Sequence, residues 1–364
     1  MALRCGIVGL PNVGKSTLFN ALTSAGIAAE NYPFCTIEPN SGVVPVPEPR
    51  LAALDALVHA QKVIPATVEF VDIAGLVRGA SRGEGLGNQF LAHIRETDAI
   101  VQVVRCFDSS DVVHVEGAPD PRRDVETIET ELCLADLETA ERRLERARRG
   151  AKGGDKERRA ELELFEALVA HLGEGRPARS FAVPDALRGV FRESFLLTAK
   201  PVLYVANVDE AGLVGGNAHL AALEVWAKES GAPVLPVCAQ VEAELAELEP
   251  GERQAFLADL GLAEPGLHRL IRAAYAMLDL ISFFTAGPKE VRAWTIARGT
   301  RAAQAAGVIH TDFERGFVRA EVIRLEDYVA AGGETEAKAR GLMRVEGRDY
   351  VMQDGDVVYF RIAV

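Results

Sequence analysis

The sequence predicts an α/β protein: a first domain built on a parallel sheet, a helical hairpin inserted into it, and a small α+β domain after it. Three observations predict this. A short apolar run, Leu3–Val8, leads into Gly9-Leu10-Pro11-Asn12-Val13-Gly14-Lys15-Ser16-Thr17 and then into Leu18, Phe19 and Leu22 at helical spacing. Between about residues 125 and 172 apolar side chains recur every three or four positions. The last 80 or so residues carry short strand-like runs between turn residues instead.

Composition sets the outer bounds. The chain has 364 residues, enough for two or three domains and more than one core. Its formal net charge of −13 excludes nucleic-acid binding over the whole surface and leaves only a local basic patch for that purpose. Cys5, Cys35, Cys106, Cys133 and Cys238 are scattered, odd in number and without a C-x-x-C pair. That pattern suggests neither a disulfide framework nor a zinc site, and fits reduced thiols in a cytosolic, cytoplasmic protein. Arg4 interrupts the apolar N-terminal run, and no stretch reaches the ~18 apolar residues of a membrane span. Neither a signal peptide nor a membrane partner is expected.

The first element is strand, loop and helix in the order that the phosphate-binding motif G-x-x-x-x-G-K-[ST] requires. Gly9 and Gly14 let the backbone turn so that successive N–H groups point inward, and the helix N-terminus adds positive potential. Lys15 reaches for the β- and γ-phosphates, and the Ser16 hydroxyl is a ligand for Mg²⁺. Asn31–Asn40 follows as a loop marked by two prolines and two asparagines. Thr36 in that loop stands where it can give Mg²⁺ a second ligand when a γ-phosphate is present; an ordinary polar loop residue is the alternative.

The next strand, about Gly42–Val46, precedes Thr67–Val71, which runs into Asp72-Ile73-Ala74-Gly75. Asp72 at a strand end can hold Mg²⁺ through a water, and Asp-x-x-Gly about 55 residues after a P-loop is a specific spacing. The glycine-rich Arg78–Asn88 reads as a second switch loop, Phe90 to Ile94 as a helix, and Ala99–Val104 as a buried strand. Ras-like enzymes follow this glycine with a glutamine that orients the attacking water, and here Leu76 stands in its place. Either hydrolysis is slow or another group positions water. His114 is a candidate by its chemistry; a core or edge histidine in the apolar run Val112–Val115 is the alternative. With Lys15 it completes the candidate catalytic residues.

The hairpin rests on Leu134, Leu137, Leu144 and Ala147, then Ala160, Leu164, Phe165, Leu168 and Leu172, with Gly150, Gly153 and Gly154 between. Two antiparallel, coiled-coil-like helices with a tip near Gly153 follow. Residues 142–159 hold nine basic side chains against three acidic ones, opposite in sign to the whole chain. That points to RNA or ribosome contact; a solvated helical face is the alternative.

The strand Pro201–Ala206 ends in Asn207-Val208-Asp209-Glu210, where GTPases hold Asn-Lys-x-Asp. Val208 replaces the lysine and Glu210 the final aspartate, which in GTPases accepts from guanine N1–H and the 2-amino group; the longer glutamate in a different pose fits guanine less well. Asn207 can still contact N7, which both purines share. A further strand, Pro233–Val237, leads to Cys238-Ala239-Gln240, where GTPases have Ser-Ala-Lys.

Gly9–Thr17, Asn31–Asn40, Asp72–Asn88, Asn207–Glu210 and the intervening helical insertion together resemble the YchF family, the bacterial Obg-like ATPases within the translation-factor class of P-loop GTPase relatives. The resemblance spans essentially the whole chain. It implies a Ras-like P-loop NTPase fold that binds ATP with Mg²⁺, hydrolyses it slowly and acts with the ribosome or translation machinery. It carries over Asn12, Val13, Gly14, Lys15, Ser16 and Thr17 as nucleotide contacts, with Val208 through its backbone. Ser16 and Thr36 come over as metal ligands, and His114 as the substitute for the missing glutamine.

In the C-terminal part, Val291, Ala293, Trp294 and Ile296, then Phe317–Ile323 and Val357–Ile362, read as strands, with a helix about Ala302–Ala306. This resembles the TGS domain, a ubiquitin-like β-grasp module. The expected divisions are residues 1–124 with 200–280 for the nucleotide domain, 125–199 for the hairpin, and 281–364 for the last domain. Two other functions stay open: a GTP-specific ribosome-assembly GTPase, and a nucleotide-gated binding protein in which turnover is not essential.

Overall fold

The computed structural model describes residues 3–25, 40–73, 75, 86–151 and 155–363. The chain forms two compact units, Met1–Val43 with Glu69–Leu270, and Val44–Val68 with Ile271–Val364. The described strands are β1 (Arg4–Val8), β2 (Ser41–Pro45), β3 (Val63–Ile64), β4 (Thr67–Asp72), β5 (Ala99–Arg105), β6 (Val202–Asn207), β7 (Val234–Val237), β8 (Leu280–Ala286), β9 (Val291–Ala297), β10 (Phe317–Arg324), β11 (Arg344–Glu346) and β12 (Asp356–Ile362). The first five helices are α1 (Lys15–Ala25), α2 (Pro49–Val58), α3 (Leu86–Arg95), α4 (Pro121–Gly150) and α5 (Lys156–Gly173).

The first sheet runs β2-β4-β1-β5-β6-β7. From β4 to β7 every neighbouring pair is parallel. Strands covered on both faces read as continuous apolar runs, and β5 and β6 are buried at every position. The register sets Ile7 opposite Asp72, Val8 opposite Gln102, Arg105 opposite Asn207, and Asn207 opposite Val237. The carboxyl ends of five strands therefore gather on one edge, which is where open α/β sheets bind ligands.

The hairpin begins where Asp120 caps α4, its side chain accepting the Arg123 amide at 3.1 Å, with Pro121 in the first turn. At 1.5 Å per residue this helix is about 45 Å long. Asp155 caps α5 in the same way, accepting the Glu157 amide at 3.1 Å. Ala140, Leu144 and Ala147 on α4 join Phe165, Leu168 and Leu172 on α5 in one buried cluster. Leu144, Ala147, Phe165, Leu168 and Leu172 are among the residues that carried the periodicity in the sequence.

The second unit holds a mixed sheet, β11-β10-β12-β8-β9-β3. Its core gathers Ile281, Phe283, Ile296, Ala302, Ala303, Ala305, Ala306, Val322 and Val358. Two features differ from the sequence reading. Residues 44–68, expected with the nucleotide domain, belong to this unit: β3 pairs in parallel with β9, setting Val63 opposite Val291. Arg50 at the start of α2 binds Asp354 at 2.7 Å and lies over the Phe284 ring. Leu280, at the end of the run Leu267–Leu280 that reads as an apolar helix in the sequence, opens β8 instead, paired with Ala297.

Candidate nucleotide-binding site

The loop between β1 and α1 is shaped by two residues in the left-handed region, Asn12 at φ 62° and Gly14 at φ 97°. A Cβ on Gly14 would stand 2.2 Å from Asn207 Nδ2, so glycine is required there on two counts. Lys15 is the first residue of α1 and only 8 % exposed, with Nζ donating to the Leu10 carbonyl at 2.9 Å. Burial lowers its pKa, partly opposed by the Asp72 carboxylate. Val13 is buried, while Asn12, Ser16 and Thr17 are exposed on the open side of the loop.

Asp72 ends β4 and accepts the Ser16 hydroxyl at 3.2 Å through Oδ2. Its other oxygen, Oδ1, is buried and meets no partner among the described residues. Burial pushes this carboxyl up, against the Ser16 hydrogen bond and the Lys15 charge. A hydroxyl and a carboxylate with one unpaired oxygen are the hard-oxygen donors that Mg²⁺ takes, so these residues fit the metal. Gly75 passes so close that a Cβ there would lie 3.1 Å from Lys15 Nζ. Thr36 and Leu76 lie outside the described residues.

On the base side, Asn207 is a strut. Its Nδ2 donates to the Val13 carbonyl at 2.9 Å and its Oδ1 accepts the Ala239 amide at 3.0 Å. It therefore fixes the P-loop to the segment after β7, with one amide hydrogen left for a ligand. Val208 is buried and its N–H donates to the Val237 carbonyl at 3.0 Å. Asp209 caps the short helix Glu210–Gly215, accepting the Gly212 amide at 2.8 Å.

His114 is not brought to this group by its ring. It is 4 % exposed, its Nδ1 accepts the Glu116 amide at 3.1 Å, and its Nε2 meets Asp124 Oδ2 at 2.9 Å. The preceding residue does reach the site: Asn12 Nδ2 donates to the Val113 carbonyl at 3.1 Å. Three residues that sequence reasoning did not single out hold this segment. Arg105, fully buried at the end of β5, donates to the Phe107, Ser109 and Val112 carbonyls. Asn217 donates to the Cys106 carbonyl at 2.8 Å. Asp124 receives His114. An arginine closing an apolar central strand was the available signal for Arg105; ten residues of separation hid Asp124.

At the far end of α4 and the start of α5, Arg142, Arg148, Arg149, Arg158 and Arg159 are exposed and several are paired. Arg142 binds Glu138 at 2.8 Å, Arg148 binds Glu145 at 3.0 Å, and Arg158 lies 3.9 Å from Asp155.

Two family models match parts of the chain. Residues 4–137 match the family MMR_HSR1, described as 50S ribosome-binding GTPase, and residues 280–363 match YchF-GTPase_C, described as a protein of unknown function. The chain is 56 % identical to the Ribosome-binding ATPase YchF of Haemophilus influenzae over 364 residues, covering all of both chains. It is 52 % identical to the protein of that name from Bacillus subtilis, again over the full length of both. Among solved structures, the Schizosaccharomyces pombe YchF GTPase aligns with a TM-score of 0.90 at 38 % identity, over 99 % of this chain and 97 % of that one.

Proposed function

The chain belongs to the YchF family, and from that premise we propose that it is a Mg²⁺-dependent ATPase, slow in turnover, that works as a switch on the ribosome. The observation that carries the reading is the cluster of Lys15, Ser16 and Asp72, with one Asp72 oxygen buried and without a partner among the described residues.

The residues divide the work. The P-loop amides and the N-terminus of α1 receive the phosphates. Lys15, destabilised as a cation by its burial, exchanges the Leu10 carbonyl for phosphate oxygens. Ser16 and Asp72, with Thr36 of the first switch loop, are the residues that would hold Mg²⁺. When bound, the metal neutralises charge on the transferring phosphate. Asn207 keeps the loop in register with the base side.

Base choice follows from what is committed. The Val208 N–H is spent on Val237, so this residue meets a base with its carbonyl. A carbonyl accepts from the adenine 6-amino group and is repelled by the guanine 6-oxygen. Asp209 is occupied as a helix cap, and Glu210 stands where the guanine-reading aspartate would be. ATP is therefore expected to bind about tenfold or more tightly than GTP, the worth of a hydrogen bond to a charged group. Equilibrium binding of both Mg-nucleotides under one set of conditions tests this; tighter GTP binding replaces it with the GTPase reading. Lys15→Ala and Ser16→Ala should each weaken ATP binding or stop hydrolysis.

Leu76 offers no group to orient water, which makes turnover slow unless His114 supplies one. The tied ring of His114 also suits a nucleotide-gated binding protein, in which occupancy acts and hydrolysis only resets.

A further inference from the structure

We infer that Asp124 is a positioning residue that latches His114 in a resting pose, and that release of this latch limits ATP hydrolysis. The inference rests on the proposed role of His114 in the reaction.

The hydrogen bonds fix the chemistry of the ring. The Glu116 N–H donates to Nδ1, so Nδ1 is an acceptor and the proton of the neutral imidazole sits on Nε2. Nε2–H then donates to Asp124 Oδ2 at 2.9 Å. Both nitrogens are used, so the ring as it stands has nothing with which to hold a water. The carboxylate is itself buried, at 2 % exposure, and its other oxygen takes Arg123 Nε at 3.2 Å and a terminal guanidinium nitrogen at 2.9 Å. A charged acceptor out of water makes a stronger hydrogen bond than a neutral one.

The backbone beside the ring is already at the P-loop. Val113 gives its carbonyl to Asn12 and leaves its side chain 75 % exposed, whereas the next residue is turned inward. Adjacent Cα atoms stand about 3.8 Å apart. What keeps the imidazole from the phosphate side is thus the pair of ties, Asp124 on Nε2 and the Glu116 N–H on Nδ1, and the one to the buried carboxylate is the stronger. Arg105, through its three carbonyl acceptors, holds the segment in place while the ring changes partners. Asp124 lies in the first turn of α4, so the latch is seated on the helix that runs out to the basic end of the hairpin.

The experiment measures single-turnover hydrolysis with the full chain in excess over Mg-ATP and above its dissociation constant, with ATP affinity determined separately. Asp124→Asn keeps the shape and an acceptor but removes the charge. Its rate should rise about three- to tenfold at unchanged ATP affinity, as expected for a charged hydrogen bond made neutral. Arg123→Ala, a change at a partly exposed side chain, leaves the Asp124 carboxylate to His114 alone and should lower the rate. The rise in Asp124→Asn should vanish in the double variant with His114→Ala. Loss of turnover in His114→Ala, with an unchanged or lower rate in Asp124→Asn, overturns the latch alone. Unchanged turnover in His114→Ala overturns the latch together with the role of His114 on which it rests. Should Asp124→Asn fail to fold, an unchanged or raised rate in Arg123→Ala overturns the latch by itself.

Discussion

Asp209 shows how one position decides what a carboxylate does. It stands one residue before the place where GTPases read guanine, and its side chain is turned to the Gly212 amide at 2.8 Å. A side chain that satisfies an orphan helix N–H contributes to stability and not to recognition. Asp209→Ala should therefore cost about 0.5–2 kcal/mol in chemical denaturation. The ratio of ATP to GTP affinity should stay where it was, because the cap faces the helix. A shift in that ratio on Asp209→Ala would place the residue at the base. Glu210, exposed at the start of the helix, is the complementary case: there a change should move the ratio. The same logic separates Lys15 from Asn207. One is buried with a single carbonyl partner that a phosphate can replace; the other is engaged at both ends of its amide and positions the loop.

The helical hairpin brings the question to the element scale. Its inner face is an apolar seam, and its last turns on α4 carry exposed arginines where the helix dipole favours cations. Pairing of Arg148 with Glu145 and of Arg158 with Asp155 is between exposed groups, worth about 0–1 kcal/mol each, so these charges remain free to meet a polyanion. Reversing Arg148, Arg149, Arg158 and Arg159 to Glu should weaken association with ribosomes and flatten its salt dependence by roughly 0.7–0.9 log unit per lost phosphate contact. ATP affinity should not change. An unchanged salt slope would return the patch to a solvated surface. This element was legible in the sequence because its signal is local: Leu144 and Ala147 lie one turn apart; its start at Pro121, capped by Asp120, lies ahead of residue 125, where the apolar periodicity was read to begin. The central strands were legible for the same reason, as apolar runs buried on both faces. The P-loop was legible because eight contiguous residues carry it. The surroundings of His114 were not, since an acidic residue in a first helical turn reads as dipole compensation and gives no hint of a partner ten positions back.

At the scale of the whole molecule, what the sequence left unread is non-local pairing. Nothing within residues 44–68 says that β3 adds to a sheet whose other strands lie more than 200 residues later, beside β9. Leu51 and Leu54 of α2 are buried, at 4 % and 0 % exposure, and Arg50 ties the helix to Asp354. The second unit is therefore made of two stretches of chain, and the later stretch alone is incomplete. Burying two leucines contributes about 3–6 kcal/mol, a large part of the 5–15 kcal/mol that holds a typical domain. A piece comprising residues 271–364 would also expose the edge of β9 that β3 covers, leaving an open template for association. Such a piece should unfold at lower temperature, with reduced cooperativity and a tendency to associate. The same piece with residues 44–68 joined to it through a flexible linker should recover a single sharp thermal transition. Arg50→Ala in the joined piece should lower its melting temperature by several degrees, through loss of the Asp354 pair and the Phe284 contact. An equally sharp and equally stable transition for residues 271–364 alone would show that the sheet closes without β3, and that α2 rests on the unit without being part of it.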